Sequence, residues 1–240
     1  MRRFVKISAF VLVFSAFFST ARSVSAVTFE YPSYNVTIDV KKDSSFKVRE
    51  EVNYKLYGEA HGLRRDLTLS DPIRDQRCIS NPNLTCGGFD RVKVLGVYDS
   101  TGRRLNSSDG YSYYEISENG RRSARFEWEI WKDGKNVSGF EIGWVIEYEI
   151  YGGIQDVGGY PYFYWNMLPE NRGGSVEKST LRINFPDGVV PKASNLQVLD
   201  NYDNQSIDGS SINFLLRNLP SYSNFTVAYR FEAGEINLPG

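Results

Sequence analysis

Hydrophobic side chains recur at every second position in the stretch from Val137 to Phe185. The first alternating set is Phe140, Ile142, Trp144, Ile146, Tyr148 and Ile150. A repeat of two is the side-chain period of a β-strand, whose successive residues point to opposite faces. Beyond Gly152 and Gly153 the chain enters a dense aromatic run, Tyr160 to Asn166. The pattern predicts two strands at the centre of the fold, each with one buried face.

The same alternation recurs on both sides of this stretch. Residues 34–40 and 46–56 are two alternating runs joined by the polar segment Lys41 to Ser45, which predicts a hairpin. Further runs, separated by turn residues, occupy 92–97, 111–117, 124–131, 181–185, 212–216 and 225–231. No window beyond residue 26 shows the 3.6-residue period of a helix. The chain is therefore predicted to be all-β, an antiparallel β-sandwich with little helix.

The N-terminus has the three-part layout of a secretory signal. Basic residues at positions 2, 3 and 6 precede an apolar run from Ile7 to Phe18, and the small-residue pattern Val24-Ser25-Ala26 follows. We predict a signal peptide over residues 1–26 and one extracytoplasmic domain over 27–240, secreted or held at the outer face of the membrane. The alternative is an uncleaved anchor, although the run is shorter than the roughly 20 residues that span a bilayer.

Composition and charge narrow the class of function. The 240 residues include 41% hydrophobic and 15% aromatic side chains, enough for a packed core. Removing residues 1–26 takes away four basic side chains and no acidic ones, which leaves 24 basic against 29 acidic residues. Nucleic acid is bound largely through clustered Lys and Arg. We therefore exclude nucleic acid as a partner and expect a protein or a glycan at the cell surface.

Two cysteines and several asparagines suggest covalent features of an exported chain. Cys78 and Cys86 enclose a short turn-rich segment, so we predict that they form a disulfide that pins one loop. A metal site would need further Cys or His nearby, and we predict neither a metal nor another cofactor. Asn-x-Ser/Thr triplets near predicted turns make Asn83, Asn106 and Asn136 candidate glycosylation sites.

Glu50 is the most informative charged residue. It lies on the apolar parity of the second strand, where a carboxylate has to be paired because burying an unpaired charge costs several kcal/mol. The following loop contains His61, the only histidine, together with Gly62 and Arg65. We predict a partly buried ion pair between Glu50 and Arg65. The alternative is a strand register that exposes Glu50. A Ser-His-Asp triad on His61 is disfavoured, because no Gly-x-Ser-x-Gly elbow is present and Gly62 indicates a turn.

Several motifs resemble those of a known family. In chain order they are Val48-Arg49-Glu50, His61 to Leu67, Gly139 to Tyr148, Tyr164-Trp165-Asn166 and Phe225-Thr226-Val227. Over roughly residues 31–233 the chain resembles the exported N-terminal domain of the predicted membrane proteins called domain of unknown function 2207, or YciQ-like. The resemblance implies binding or structural roles for the motif positions Glu50, His61, Gly62, Arg65, Trp165 and Asn166.

The resemblance also implies an attachment to the membrane. Family members continue past the last strand into transmembrane helices and a glycine-rich tail, and they usually have an aromatic residue where Arg64 stands here. Three routes of attachment stay open: an uncleaved signal, a C-terminal span after Gly240, or a membrane-bound partner.

Two further functions are weighed against a plain interaction module. Glu141, Glu147, Glu149 and Asp156 lie close to aromatic residues, as carboxylates do in glycoside hydrolases. However, Glu147 and Glu149 alternate with the apolar set, so we expect them on a solvated sheet face. A platform of Tyr160, Tyr162, Tyr164 and Trp165 is of the type that stacks on sugar rings. The sequence favours a non-enzymatic interaction or sensing module. A carbohydrate-binding surface is the alternative, and a glycoside hydrolase is less favoured.

Overall fold

The computed structural model describes residues 28–59, 62–70, 89–129, 136–168 and 172–238. Most of these residues lie in strands, and the only helical elements among them are the 3-10 helices Ser107–Asp109 and Ala193–Asn195. The predicted all-β fold with little helix is confirmed. In this part of the chain no helix has the length and hydrophobicity needed to span a membrane.

Fourteen strands are present in the described residues. In chain order they are β1 Thr28–Val40, β2 Phe46–Glu59, β3 Gly62–Ser70, β4 Arg91–Asp99, β5 Tyr111–Glu118, β6 Arg121–Glu129, β7 Asn136–Tyr151, β8 Ile154–Val157, β9 Tyr160–Asn166, β10 Val176–Asn184, β11 Leu196–Val198, β12 Asn204–Asp208, β13 Ser211–Leu219 and β14 Thr226–Arg230. They form a seven-stranded sheet in the order β12-β13-β10-β1-β2-β7-β4, a four-stranded sheet β11-β14-β9-β8 and a three-stranded sheet β3-β6-β5.

One strand pair departs from the antiparallel prediction. β1 and β10 run parallel, with Val36 opposite Leu181, while the other neighbouring strands in the three sheets are antiparallel. Parallel neighbours need a long crossover, and here much of the chain lies between them. No local turn residues mark such a pairing in the sequence, which is why the alternating pattern predicts the strands but not this partner.

The two smaller sheets together cover one face of the large sheet. Phe46 of β2 packs edge-on against Phe163 and Trp165 of β9, with ring centroids 5.3 and 5.6 Å apart. In the three-stranded sheet, Phe126 of β6 lies 5.9 Å from Tyr148 of β7, measured between ring centroids. The buried hydrophobic residues form one continuous core cluster. The molecule is thus a β-sandwich whose second layer is divided into two sheets.

The predicted hairpin near the N-terminus is confirmed and positions the candidate site. The Lys41 N–H donates to the Ser45 carbonyl at 2.9 Å, and this turn pairs β1 with β2 so that Val36 lies opposite Glu50. Because directly opposed residues of an antiparallel pair share a face, Glu50 points to the same side as the buried Val36. The hairpin therefore directs a carboxylate into the core.

Strand β7 confirms its predicted alternation with two exceptions. Trp144, Ile146, Tyr148 and Ile150 are buried, whereas Phe140 is 40% exposed. The prediction that Glu149 lies on a solvated face is wrong, because only 7% of this residue is accessible. Its carboxylate is covered by two partners, the Lys41 ammonium and the Tyr151 hydroxyl, the latter donating at 2.6 Å.

Candidate functional site

The Glu50 carboxylate is fully buried and accepts four hydrogen bonds. Its Oε1 accepts from Arg65 Nη2 at 2.9 Å and from the Tyr148 hydroxyl at 2.5 Å. Its Oε2 accepts from Arg65 Nε at 3.1 Å and from the Tyr34 hydroxyl at 2.6 Å. The predicted Glu50–Arg65 ion pair is therefore present, in the bidentate geometry that makes Arg–carboxylate pairs strong.

The strand register explains how the two tyrosines reach Glu50. Val36 and Ile146 lie directly opposite Glu50 on β1 and β7. Tyr34 and Tyr148 are each two residues away from these positions, so they share the inward face and lie diagonal to Glu50. Both were visible in the sequence as members of alternating sets, but their hydroxyl contacts depend on the order β1-β2-β7.

Arg65 comes from the second layer of the sandwich. The prediction that it lies in a loop is wrong, because it belongs to strand β3, on which Arg65, Leu67 and Leu69 are buried at alternate positions. This period of two was present in the sequence but was masked by the charged residues. The guanidinium crosses the interface between the layers, and its Nη1 also donates to the Asp66 carbonyl at 3.1 Å. The ion pair therefore joins the three-stranded sheet to the seven-stranded sheet.

The surroundings hold the pair in its charged form. Burial alone would raise the pKa of Glu50, but the charge of Arg65 and the hydrogen bonds from Arg65, Tyr148 and Tyr34 outweigh it and lower the pKa. Burial opposes the charge of Arg65 too, yet the Glu50 carboxylate raises its pKa. Burial, reinforced by the Glu50 charge, raises the pKa of the Tyr148 hydroxyl, which therefore stays protonated as a donor.

A cleft of about 680 Å³ lies above this network. It runs between β3 of the three-stranded sheet and β9 of the four-stranded sheet, and Tyr34 and Glu50 contribute to its floor. The other polar and charged residues that line it include Arg64, Asp66, Arg121, Arg125, Trp165, Asn166 and Arg172. A cavity of this volume falls within the range of small-molecule sites.

A second Arg–carboxylate pair borders the cleft. Arg125 of β6 donates from Nε and Nη2 to the two carboxylate oxygens of Asp66, at 2.8 and 2.9 Å. Asp66 retains 32% side-chain exposure, so this pair borders solvent rather than the core. The pKa of Arg125 is raised, and the largest cause is its hydrogen bond to Asp66.

Of the neighbouring motif residues His61 and Gly62, the structure describes only Gly62. Gly62 begins β3 and pairs with Glu129, so the predicted turn at this glycine is wrong. A Cβ on Gly62 would lie 2.7 Å from the Trp128 carbonyl oxygen, which leaves no room for a side chain. The identity of this residue is thus explained by close packing of β3 on β6. His61 lies outside the described residues.

Trp165 and Asn166 lie together at the wall of the cleft. Trp165 is 2% exposed and stacks on Phe89 with centroids 5.7 Å apart. It cannot belong to the predicted surface platform with Tyr160, because its ring faces the core. Asn166 is half-buried, and its Oδ1 is a buried atom without a hydrogen-bond partner.

Arg172 is a site residue that the sequence did not reveal. It is 2% exposed, and its guanidinium donates to the carbonyls of Gly174, Pro220 and Ser223, the last two at 2.9 and 3.1 Å. Its Cζ lies 5.7 Å from the centroid of the Tyr31 ring. Burial lowers the pKa of Arg172. No periodic pattern includes this residue, since it lies in an irregular glycine-containing segment between β9 and β10.

The remaining predicted residues are placed only in part. Cys78, Cys86 and Asn83 lie outside the described residues, so the disulfide and that glycosylation site stay predictions. Asn106 is exposed, and its Oδ1 accepts from the Ser108 N–H at 2.8 Å, while Asn136 is the first residue of strand β7, so both stay predicted glycosylation sites. Within the ranges that the structure describes, no three His, Cys, Asp or Glu side chains are grouped to hold a metal.

Comparison with solved structures finds only distant likeness. A candidate protease from Parabacteroides distasonis matches with a TM-score of 0.45 and 14% identity, over 85% of this chain and 40% of that protein. An M1 zinc metallopeptidase from Deinococcus radiodurans matches with a TM-score of 0.40 and 11% identity, over 84% of this chain and 42% of that protein. This chain spans about two fifths of the length of either protein.

Comparison with protein sequences gives a clearer result. No curated protein matches the chain. A family model described as the N-terminal domain of a predicted membrane protein, DUF2207, matches residues 30–231. This range includes the Glu50–Arg65 pair and all of the cleft-lining residues except Phe29. The chain belongs to the DUF2207 family of predicted membrane proteins.

Proposed function

We propose that this chain is a non-enzymatic ligand-binding domain at the extracytoplasmic face of a membrane, acting as an interaction or sensing module. The observation that carries the proposal is the cleft of about 680 Å³ between the two smaller sheets, with the hydrogen-bonded Glu50 carboxylate in its floor. A concave site in which polar groups converge beside apolar and aromatic side chains is typical of ligand pockets. The N-terminal signal pattern and the family's description as a predicted membrane protein support the location.

The pairing of Glu50 and Asp66 with arginines supports a binding role over hydrolysis. A glycoside hydrolase needs one carboxyl group with a raised pKa to act as general acid. The pKa of Glu50 is instead lowered, and both of its oxygens are occupied by hydrogen bonds. Asp66 is likewise engaged at both oxygens by Arg125. Neither group has a free position from which to donate a proton to a substrate.

Binding can be tested by a fragment screen on the ¹⁵N-labelled chain. We expect fragments to shift the amide signals of Arg65, Trp165 and Asn166, while strand β12 on the far edge of the large sheet stays unchanged. The matched control is Glu149→Gln, which alters a carboxylate outside the cleft and should leave binding within twofold. A screen in which fragments bind only outside the cleft would contradict the proposal.

Catalysis and location need separate measurements. Against a panel of fluorogenic glycosides we expect no turnover, and turnover that disappears in Glu50→Gln or Asp66→Asn would overturn the non-enzymatic assignment.

For location, alkaline phosphatase and green fluorescent protein are each fused after residue 240. Phosphatase activity without fluorescence is expected, and the reverse pattern would place the domain inside the cell.

A carbohydrate-binding surface is the second candidate. Tyr160, Tyr162 and Tyr164 alternate with buried residues on β9 and share its outward face, and Tyr160 is 38% exposed. The guanidinium of Arg230 lies 5.0 Å from the Tyr160 ring centroid. A glycan array tests this candidate, and Tyr160→Ala should abolish any sugar binding that this face provides.

A further inference from the structure

Four unpartnered polar atoms cluster at the cleft. Among the described residues, six buried side-chain nitrogen or oxygen atoms have no hydrogen-bond partner. Four of them belong to residues that line this cavity: Arg121 Nε, Trp165 Nε1, Asn166 Oδ1 and Arg172 Nε. Buried polar groups are normally hydrogen-bonded, so each exception needs an explanation. Three of the four are N–H donors, which require acceptor oxygens.

The charges of the lining arginines are compensated unequally. Arg65 and Arg125 each hold a carboxylate in bidentate geometry. By contrast, within the described part of the chain the hydrogen bonds of Arg121 and Arg172 go to hydroxyl and carbonyl oxygens, in Thr68, Gly174, Pro220 and Ser223. An arginine remains protonated in a protein even where burial lowers its pKa. The third carboxylate that lines the cleft, that of Glu118, lies 3.7 Å from Arg125 Nη1. The cleft therefore combines unpartnered donors with two arginines, Arg121 and Arg172, that form no ion pair with a described carboxylate.

Much of the remaining lining is apolar or aromatic, although Thr68, Glu118, Asn119 and Ser123 also contribute to it. It includes Phe29, Leu63, Leu67, Phe89 and Leu168 beside the Trp165 ring. Such a wall favours a ligand with a hydrophobic body over a fully hydrated inorganic anion, because it cannot replace the water around the latter. The volume of about 680 Å³ is sufficient for a molecule of that kind.

We infer that the cleft binds an organic carboxylate that carries an apolar or aromatic body, with Arg121 and Trp165 donating to the carboxylate. The inference rests on the proposed function and names the ligand class of the same site. Such a carboxylate can belong either to a free small acid or to the C-terminal residue of a peptide. The Asn166 amide, which can present oxygen or nitrogen, can pair with an N–H or a carbonyl next to the carboxylate.

The test compares carboxylates with their matched neutral amides on the 240-residue chain. The probes are 3-phenylpropionate against 3-phenylpropionamide, and N-acetyl-glycyl-phenylalanine against its C-terminal amide, titrated by calorimetry. We expect each carboxylate to bind roughly tenfold tighter than its amide, the loss expected for one charge-assisted hydrogen bond. Whichever acid binds more tightly identifies the source of the carboxylate. If the amides bind as well as the acids, or if neither acid binds, the inference is wrong.

A matched pair of tryptophan variants tests which indole takes part. Trp165→Phe removes one indole N–H but keeps an aromatic ring, and it should weaken carboxylate binding about threefold. Trp144→Phe is the control, because its Nε1 is also buried and unpartnered but Trp144 does not line the cleft. It should leave the affinity unchanged. In the wild type, the indole N–H signal that is absent from the Trp165→Phe spectrum should shift on adding 3-phenylpropionate.

Arg121→Gln supplies the charge test. Arg121 is only partly buried, so we expect the variant to unfold at nearly the wild-type temperature and to lose roughly tenfold in carboxylate affinity. An unchanged affinity in a folded Arg121→Gln would overturn the inference for this residue. Failure of the proposed function is distinguishable, because neutral fragments from the library would then not bind in the cleft either, whereas failure of the carboxylate inference alone leaves those fragments bound.

Discussion

Two Arg–carboxylate pairs meet on strand β3 and differ chiefly in their surroundings. Arg65 points inward and holds the fully buried Glu50, whereas Asp66, the next residue, points the other way and is held by Arg125. Both pairs are bidentate, with donor–acceptor distances between 2.8 and 3.1 Å. Both arginines are 7% exposed, so the burial of the carboxylate is the variable that separates the pairs: Glu50 is fully buried, whereas the Asp66 side chain is 32% exposed.

Burial changes what happens when one partner is lost. At the surface the remaining charge is hydrated, so an exposed pair contributes about 0–1 kcal/mol. In the core the remaining charge has no water and no partner, and breaking such a pair costs about 3–5 kcal/mol. The comparison indicates that Glu50 fixes the two layers together, while Asp66 mainly shapes the rim of the cleft.

The largest effect is expected for Glu50→Gln. This change keeps the size of the side chain but leaves Arg65 buried and charged without its carboxylate, so the free energy of unfolding should fall by about 3–5 kcal/mol. Urea unfolding followed by tryptophan fluorescence measures it. As a control, Glu50→Leu combined with Arg65→Met should recover most of the loss, because the unpaired cation is removed as well. A double variant as unstable as the single one would show that the loss has another cause.

A smaller effect is expected for Tyr148→Phe. It removes one hydrogen bond to the carboxylate and leaves Arg65 in place, so the loss should be about 1.5–3 kcal/mol, the range for hydrogen bonds to charged groups. The same urea experiment applies. Tyr151→Phe is a matched control, since its hydroxyl donates to Glu149, whose other partner is the half-exposed Lys41 ammonium. It should cost less than Tyr148→Phe, and an equal cost would remove the distinction between the Glu50 network between the layers and the Glu149 contact outside it.

Mild acid should produce part of the effect of Glu50→Gln. Because the pKa of Glu50 is lowered in the folded state, its contribution is fully present above its unfolded pKa of about 4.3 and is lost as the pH falls through the folded value. The difference in unfolding free energy between wild type and Glu50→Gln should therefore be constant from about pH 7 to 5 and narrow below about pH 4. A difference that stays constant down to pH 3 would contradict a stabilising charged Glu50.

The smallest effect is expected for Asp66→Asn. Asp66 itself is partly exposed, and Arg125 keeps a second carboxylate, that of Glu118, 3.7 Å from its Nη1, so the loss should be no more than about 1 kcal/mol. Raising the salt concentration should reduce the difference between this variant and the wild type, because exposed pairs are screened. A loss as large as that of Glu50→Gln would mean that the two pairs are not distinguished by burial.

The sequence predicted the elements better than their partners. The parity of Glu50 within an alternating strand is a local property, and it was sufficient to predict burial and the need for a cation. Arg65 was found as that cation, but its place on a strand was missed because charged residues hide the period of β3. Trp165 and Asn166 were identified through the family resemblance, whereas their position at a cleft depends on how the sheets are arranged.

Residues outside regular patterns could not be found. Arg172 is held by one carbonyl oxygen of its own segment and two from the loop between β13 and β14, and nothing in its sequence neighbourhood distinguishes it from an exposed arginine. The burial of Glu149 depends on Lys41, which is distant in sequence and meets it only after β1, β2 and β7 align. Such contacts are tertiary, so they require the fold to be known first.

The parallel pairing of β1 with β10 has a consequence for the order of assembly. Because synthesis begins at the N-terminus, β1 can form its hairpin with β2 early. The other edge of β1 stays unpaired until residues 176–184 are synthesised. Pairings between distant segments slow folding and leave an open strand edge in the meantime. A nascent chain halted before residue 176 would therefore expose the middle of its largest sheet, and a chaperone acting on this protein would be needed most at that stage.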